Sequence, residues 1–118
     1  MNLPAVQRGD VFEANLNPTK GSEQGGTRPV LVISRDAINR SSPVVIIVPF
    51  TDAANKTTIY PSHARFSAGT GGLTLDSLAI CEQVRAISKT RLVSLKGKLN
   101  RSQIASVEAA LKIALDLP

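Results

Sequence analysis

The chain has 118 residues, of which 42% are hydrophobic and 19% charged, and this size and composition predict one folded domain over residues 1–118. Lys and Arg number 14 against 9 Asp and Glu, so the formal net charge is +5. A basic surplus favours an anionic partner, most commonly nucleic acid. A single cysteine excludes an intramolecular disulfide and a cysteine-rich zinc site. Aromatic residues, at 3%, are too few for an RNA-recognition module that stacks bases on paired rings.

The sequence shows no targeting or membrane-spanning segment. The N-terminus, "MNLPAVQRGD", lacks the apolar core of a signal peptide, and no run of about 18 apolar residues occurs. We therefore expect a soluble, cytoplasmic protein.

Apolar runs predict a chain made mainly of strands. "DVFEANL" alternates, with Phe12, Ala14 and Leu16 on its apolar face, as a half-buried strand does. "PVLVIS" and "PVVIIVPFT" are β-branched and apolar, which is typical of buried strands, and "RDAINR" between them has the length of one helical turn. The predicted strands, in chain order, span 10–16, 29–34, 43–51, a short piece near Ile59 or Phe66, 73–88 and 91–99.

The last segment changes from a strand pattern to a helical one. The apolar residues of "RSQIASVEAALKIALDL" recur at helical spacing, at Ile104, Val107, Leu111 and Leu115. Asn100 with Gln103 resembles a capping box, so the helix is expected to begin near residue 101. Consecutive strands with short connections before one helix favour an antiparallel sheet curled into a small barrel. The predicted fold class is therefore mainly β, with a C-terminal helix.

The sequence excludes or disfavours several kinds of catalytic site. His63 is the only histidine, which rules out a two-histidine acid–base pair and a histidine cluster for a metal within one chain. It follows Pro61 in a predicted loop, where a solvated side chain is favoured over a catalytic one. "GTGG" at 69–72 lacks the Lys and Ser or Thr of a phosphate-binding loop. Cys81 lies in the apolar run "SLAICEQV" and is expected to be a buried small hydrophobe.

Arg28 stands where a glycine-rich polar loop meets an apolar strand. The loop, 17–26, is "NPTKGSEQGG", and the strand begins at Pro29, which favours an extended backbone at Arg28. A guanidinium is always charged and binds phosphate through two N–H groups at once. Arg28 is therefore a candidate phosphate ligand, although the residues alone fit a structural role equally well. Thr51 ends the run "VVIIVPF", where its hydroxyl either contacts a phosphate or, as the residues alone favour, closes a turn.

Glu82 conflicts with the pattern of its predicted strand. Strict alternation puts it on the face that carries the apolar residues Leu78, Ile80 and Val84. A buried carboxylate is costly unless it is paired, so we expect either a bulge that turns Glu82 outward or a basic residue that meets it. Gln83 and Arg85 would then share the other face of the strand, where they can contact a ligand.

Four blocks of the sequence together resemble the MazF/PemK family of bacterial toxins. They are "RGDVFEANLNPTKGSEQGGTRPVLVIS" (8–34), "VVIIVPFT" (44–51), "EQVRAISKTRL" (82–92) and "VEAALKIAL" (107–115). The blocks follow the family's order and cover nearly the whole chain, and the resemblance is weakest over 52–72. The combination of Arg-Gly-Asp, Gly-Ser-Glu-Gln-Gly-Gly and Arg-Pro-Val-Leu-Val at this spacing makes the signal specific, since any one block alone is weak.

The resemblance implies an SH3-like antiparallel β-barrel with a C-terminal helix that forms a homodimer. It implies an endoribonuclease that cuts single-stranded RNA at specific sequences, with no metal and no cofactor, and so inhibits translation and growth. It also implies a cognate antitoxin, MazE/PemI-like, whose acidic, partly disordered tail occupies the RNA groove. The family's catalytic arginine and its Thr or Ser fall on Arg28 and Thr51. Glu23 and Gln24 fall on its mobile loop, and Gln83 on a base-contact position.

The expected reaction uses the 2′-hydroxyl of the RNA as nucleophile and leaves a 2′,3′-cyclic phosphate and a 5′-hydroxyl. Arg28 and Thr51 are expected to stabilise the charge that gathers on the phosphate oxygens, and Glu23 is the nearby carboxylate if a base is needed. The residues expected to contact RNA phosphates are Lys20, Lys56 and Arg85. The alternative function is a gyrase-binding toxin of the CcdB type, with the same fold and no nuclease activity.

Overall fold

The computed structural model describes residues 5–56 and 58–118. Within these residues the strands are β1 (Asp10–Asn15), β2 (Thr27–Val32), β3 (Val44–Asp52), β4 (His63–Phe66), β5 (Ser77–Ile80), β6 (Arg85–Ser88) and β7 (Leu92–Lys98). The α-helices are α1 (Asp36–Ser41) and α2 (Arg101–Leu115), and short 3-10 turns occur at Ala53–Asn55, Thr70–Gly72, Cys81–Gln83 and Lys89–Arg91. None of the helices described is both long enough and apolar enough to cross a membrane.

The strands form one antiparallel sheet organised around β3. The order is β4-β5-β3-β2-β1-β7, and β6 lies beside the first half of β3. Residues 44–47 of β3 pair with β6, residues 47–49 with β2 and residues 50–52 with β5. Because β4 and β7 stand at the two ends of this order, the sheet is barrel-like but not closed. The predicted mainly β, antiparallel fold with a C-terminal helix is confirmed.

β1 is buried on both faces at its start, although its alternation predicts a half-buried strand, and it follows the prediction at Glu13 and Asn15. Phe12, Ala14 and Leu16 pack in one core cluster, as expected. Val11, on the opposite face, is fully buried in a second cluster, which includes Val107 of α2. The prediction is wrong at Val11 because this side chain packs in a cluster formed by distant segments, including Leu99 and Val107, and such packing leaves no trace in the alternation of a single strand.

The expectation of one long strand over 73–88 is wrong. The structure has two short strands there, β5 and β6, separated by the 3-10 turn Cys81–Gln83. β5 pairs with the end of β3 and β6 with its beginning. Through this turn the chain passes from one end of β3 to the other. The turn also exposes Glu82 at the surface.

The helices and the short strand at Phe66 agree with the sequence patterns. The Asn100 side chain accepts from the Gln103 backbone N–H at 2.9 Å, and the Gln103 side chain accepts from the Asn100 N–H at 2.8 Å, which completes the predicted capping box. The predicted helical turn over 35–40 is α1. Asp36 is the first residue of α1. A hydrogen bond from the Arg8 backbone N–H lowers the pKa of its carboxyl group, and a second bond from the Asn39 side chain lowers it further.

Candidate active site

Arg28 lies at the second position of β2, directly opposite Ala14 of β1. Its guanidinium is held by two backbone carbonyls. Nε donates to the carbonyl of Gly25 at 2.7 Å, and Nη1 donates to the carbonyl of Phe50 at 3.2 Å. Since a guanidinium has five N–H donors in a planar fork, these two bonds fix its orientation and leave other N–H groups for a ligand.

Thr51 shares a surface groove with Arg28. It lies near the end of β3, where it pairs with Leu78 of β5, and it follows the residue whose carbonyl Arg28 binds. Both residues line a groove of about 290 Å³ and both are half-buried. The two residues that the sequence singles out, 23 positions apart, are therefore brought to one site.

The groove carries a second pair of charged side chains that sequence reasoning missed. Glu13 of β1 and Lys96 of β7 line it and form an ion pair at 3.5 Å between Oε2 and Nζ. Their side chains are only 26% and 19% exposed. The alternation of β1 indicates that Glu13 faces away from Phe12 and Ala14, but nothing in the sequence places Lys96 beside it.

Asp52 also lines the groove, next to Thr51. Its Oδ1 accepts from the Ala54 backbone N–H at 2.9 Å and so caps the 3-10 turn that follows β3. Among the described residues, no group of three or more His, Cys, Asp or Glu side chains has the arrangement of a metal site.

The loop 17–26 is fixed by hydrogen bonds within itself and to Gln83. The Asn17 side chain accepts from the Gly26 N–H at 2.9 Å, and Oε1 of Glu23 accepts from the Lys20 N–H at 2.6 Å. Gln83 accepts from the Gln24 N–H and donates to the Ser22 carbonyl, both at 3.3 Å. Gln83 thus contacts the loop through both ends of its amide and ties it to the 3-10 turn between β5 and β6.

The remaining predicted site residues lie outside the lining of the groove as the structure describes it. Glu23, Lys20 and Lys56 are exposed, and Arg85 is half-buried at the start of β6, opposite Ile47. The structure therefore brings together Arg28 and Thr51, and it does not bring these other side chains into the groove. Gln24 is held by its backbone contact with Gln83.

His63 is not the solvated loop residue that the sequence favours. It opens β4, and its side chain is 3% exposed. Its Nδ1 accepts from the Tyr60 N–H at 3.2 Å, and its Nε2 lies 3.0 Å from Oε2 of Glu82. The prediction is wrong because His63 pairs with Ile80 of β5, and the 3-10 turn after β5 places Glu82 within hydrogen-bond distance of the imidazole.

The same contacts resolve the conflict at Glu82. The expected basic residue is present, since His63 meets Glu82, but the expected bulge is not what turns Glu82 outward: the strand ends before it and a 3-10 turn exposes it. Ser62 Oγ donates to Oε1 of Glu82 at 2.9 Å. Burial alone would raise the pKa of Glu82, but hydrogen bonds from its own backbone N–H, from His63 and from Ser62 outweigh that effect and lower the pKa. We call Ser62, His63 and Glu82 the His63 cluster.

Cys81 is fully buried, as predicted. Burial, with a smaller contribution from the adjacent Glu82 carboxylate, raises the pKa of its thiol to about 12. The thiol therefore stays protonated and unreactive at neutral pH, since the thiolate is the nucleophile.

An anchored arginine and a hydroxyl in one open, charged groove of a small barrel-like sheet have the chemistry to bind a phosphate group. The profile described as "PemK-like, MazF-like toxin of type II toxin-antitoxin system" matches residues 7–115. The chain belongs to this family.

The chain is 42% identical over 112 residues to a protein named Endoribonuclease MazF from Staphylococcus epidermidis, a match that covers 95% of this chain and 92% of that one. The predicted class, an endoribonuclease toxin, is thereby confirmed. Among solved structures, MazF (Form-I) from Deinococcus radiodurans has a TM-score of 0.81 at 23% identity, covering 97% of this chain and 99% of that one. An endoribonuclease in complex with its cognate antitoxin, from a mycobacterial species, has a TM-score of 0.73 at 24% identity, covering 100% and 98%. At these identities the structural matches show the fold.

Proposed function

We propose that this chain is the toxin of a type II toxin–antitoxin system and that it cuts single-stranded messenger RNA at specific sequences without a metal ion. The observation that carries the proposal is the Arg28 guanidinium, fixed by the carbonyls of Gly25 and Phe50 in a groove that also contains Thr51. The family match and the relative named as an endoribonuclease support the same activity.

The RNA supplies its own nucleophile. The 2′-hydroxyl attacks the adjacent phosphorus in line, the bond to the 5′-oxygen of the next nucleotide breaks, and a 2′,3′-cyclic phosphate and a 5′-hydroxyl remain. Negative charge gathers on the phosphate oxygens in the transition state, where a fixed guanidinium and the Thr51 hydroxyl stabilise it. Arg28 is pre-oriented for this role because its two backbone bonds hold it before RNA binds.

The remaining predicted contacts belong to RNA binding around the groove. We assign Gln83 to a base contact, Gln24 to RNA binding by the loop 17–26, and the phosphate contacts to Lys20, Lys56 and Arg85. Gln83 is bound to the loop through two hydrogen bonds of 3.3 Å, which are long for N–H···O bonds. Replacing them with hydrogen bonds to an RNA base therefore costs little free energy. Glu23, whose Oε1 accepts from the Lys20 N–H, stays a prediction for the general base.

Two protein partners complete the proposal. An antitoxin of the MazE/PemI type would bind this chain in the cytoplasm and cover the RNA groove with an acidic tail, which the positive charge of +5 favours. A second copy of the chain would form a homodimer. The large apolar side chains left exposed support such an interface, in particular Val93 at 65% and Leu95 at 60% on the end strand β7.

The test is cleavage of a mixed single-stranded RNA in EDTA, followed by mapping of the fragment ends. We expect discrete cuts with 5′-hydroxyl ends for the wild type, and their loss in Arg28→Ala. Arg40→Ala is the matched control, because it removes the same charge from the exposed last turn of α1. Intact RNA with folded wild type would overturn the proposal. If Arg28→Ala then still arrested growth, the gyrase-binding alternative would take its place.

A further inference from the structure

The ion pair between Glu13 and Lys96 lies inside the groove that contains Arg28 and Thr51, and the proposed chemistry does not use it. The pair is poorly exposed, at 26% and 19% of the two side chains. Its contact involves one carboxylate oxygen and one ammonium group. A carboxylate has further lone pairs and an ammonium has three N–H donors, so the pair retains capacity to bind a ligand.

A β-bulge aims Lys96 into the groove. The adjacent β1 residues Val11 and Phe12 pair with Gly97 and Leu95 of β7, which leaves Lys96 as the extra residue between them. Bulges of this kind redirect a side chain and are frequent beside active sites. In a regular ladder continued from the Val11–Gly97 pair, Lys96 would stand opposite Phe12, whose side chain is buried in the core.

The glycines of "GTGG" hold the bulge in place. Gly72 has a φ of +78°, and a Cβ there would collide with the carbonyl of Lys96. A Cβ at Gly97 would lie 2.6 Å from the carbonyl of Gly71. The two backbones pack so closely that only glycines fit. The motif that fails as a phosphate-binding loop thus has a different role, which is to fix the backbone that presents Lys96.

We infer that Glu13 and Lys96 form a base-recognition site for a nucleotide next to the cleaved bond, and that this site accepts a base with an exocyclic amino group. The inference rests on the proposed function. The carboxylate accepts from the amino group, and the ammonium donates to the neighbouring ring nitrogen or carbonyl. Guanine, adenine and cytosine each carry such a donor beside an acceptor. Uracil places its one N–H between two carbonyls, which repel a carboxylate.

The experiment is cleavage of a random-sequence single-stranded RNA pool in EDTA, with sequencing of the fragment ends. Wild type should disfavour uracil about tenfold or more at one position flanking the cut. Glu13→Gln should remove most of that bias at the same position, because an amide donates as well as accepts. Lys96→Met should weaken it too, and preferences at the other positions should persist.

Lys98→Met is the matched control. Lys98 lies on the same strand and pairs with Asp10 of β1 at 3.6 Å, but it is outside the lining of the groove and its side chain is 52% exposed. It should leave the base preference unchanged. Thermal unfolding of each variant checks that it is folded. If Glu13→Gln does not fold, Lys96→Met still tests the inference.

Three results would overturn the inference. The first is a wild type that cuts equally well with uracil at every flanking position. The second is a pair of variants, Glu13→Gln and Lys96→Met, that cut with wild-type preferences. The third is variants that cut all sequences more slowly and with a smaller salt dependence, which is the result expected if the lost contact was to a phosphate. A wild type that cuts no RNA would instead remove the proposed function, and this inference with it.

Discussion

Two groups of polar side chains, the Arg28 groove and the His63 cluster, differ in how fully their members satisfy one another. In the His63 cluster both imidazole nitrogens and both Glu82 oxygens have hydrogen-bond partners within the chain. In the groove, Arg28 binds two carbonyls and keeps further donors beside an open surface. A cluster whose hydrogen-bonding groups all have partners within the chain stabilises the fold. Donors that are oriented but have no partner are available to bind a ligand. The comparison shows why the only histidine is the weaker functional candidate.

The largest effect should come from replacing the guanidinium while keeping its charge. Arg28→Lys loses the planar fork that binds two carbonyls and that, in the proposed function, also binds the phosphate. We expect kcat/KM for RNA cleavage to fall by about 100-fold or more, the usual cost of one pre-oriented donor, with little change in stability. Steady-state cleavage of a short RNA measures this. Arg40→Lys should have wild-type rates, and an active Arg28→Lys would show that charge alone suffices.

Breaking the His63 cluster should affect stability rather than cleavage. His63→Ala removes a side chain that is 3% exposed and leaves the Tyr60 N–H and Glu82 without their partner. We expect the free energy of unfolding to fall by about 1–3 kcal/mol, with RNA cleavage retained at temperatures where the protein is folded. Urea unfolding gives the first quantity. Lost cleavage at unchanged stability would reverse the roles assigned to the two clusters.

The cluster should also give a smaller, pH-dependent contribution to stability. Because hydrogen bonds lower the pKa of Glu82 in the folded state, its contribution is present above the ordinary value of 4.5 and is lost as pH falls through the folded pKa. The difference in unfolding free energy between wild type and Glu82→Gln should therefore shrink below about pH 4.5. Since the side chain is 44% exposed, solvent and salt reduce the effect. A difference that grows on acidification would contradict the direction of the shift.

The smallest effect is expected at Cys81. With a pKa raised to about 12 and no exposure, its thiol should react with a thiol-specific reagent at pH 8 only when the protein opens. Labelling followed by mass spectrometry should be slow for native protein and fast in denaturant. Rapid labelling of the native chain would show that the segment between β5 and β6 opens easily.

Arg28 and Thr51 each have a local signal in the sequence, but that signal fits a structural role as well, and the family resemblance is what singles them out as candidate site residues. Arg28 precedes a proline at the start of an apolar run, and Thr51 ends the next one. Pairing of these two consecutive strands as antiparallel neighbours, which the sequence predicts, is enough to bring Arg28 and Thr51 together. Glu13 and Lys96 were not predictable, because their meeting depends on a bulge in β7 and on the close packing of glycines from another segment.

The errors in the fold have the same origin. The run 73–88 has no proline or glycine between its two strands, so the turn at Cys81–Gln83 has no composition signal. That turn is imposed by the pairing of β5 and β6 with opposite ends of β3. His63 was misplaced for the same reason, since its burial depends on where the turn puts Glu82.

β3 also has a consequence for how the protein opens. Its residues pair with three different strands, and Val45, Ile47, Val48 and Phe50 are at most 1% exposed. Its amide hydrogens should therefore exchange with solvent only on global unfolding, whereas helix ends and loops exchange through local fluctuations. Thr51 and the Phe50 carbonyl that anchors Arg28 belong to this slowest-exchanging segment. The Phe50 anchor of Arg28 should thus persist through partial openings that release its other anchor, the Gly25 carbonyl in the loop 17–26, and should be lost only on global unfolding.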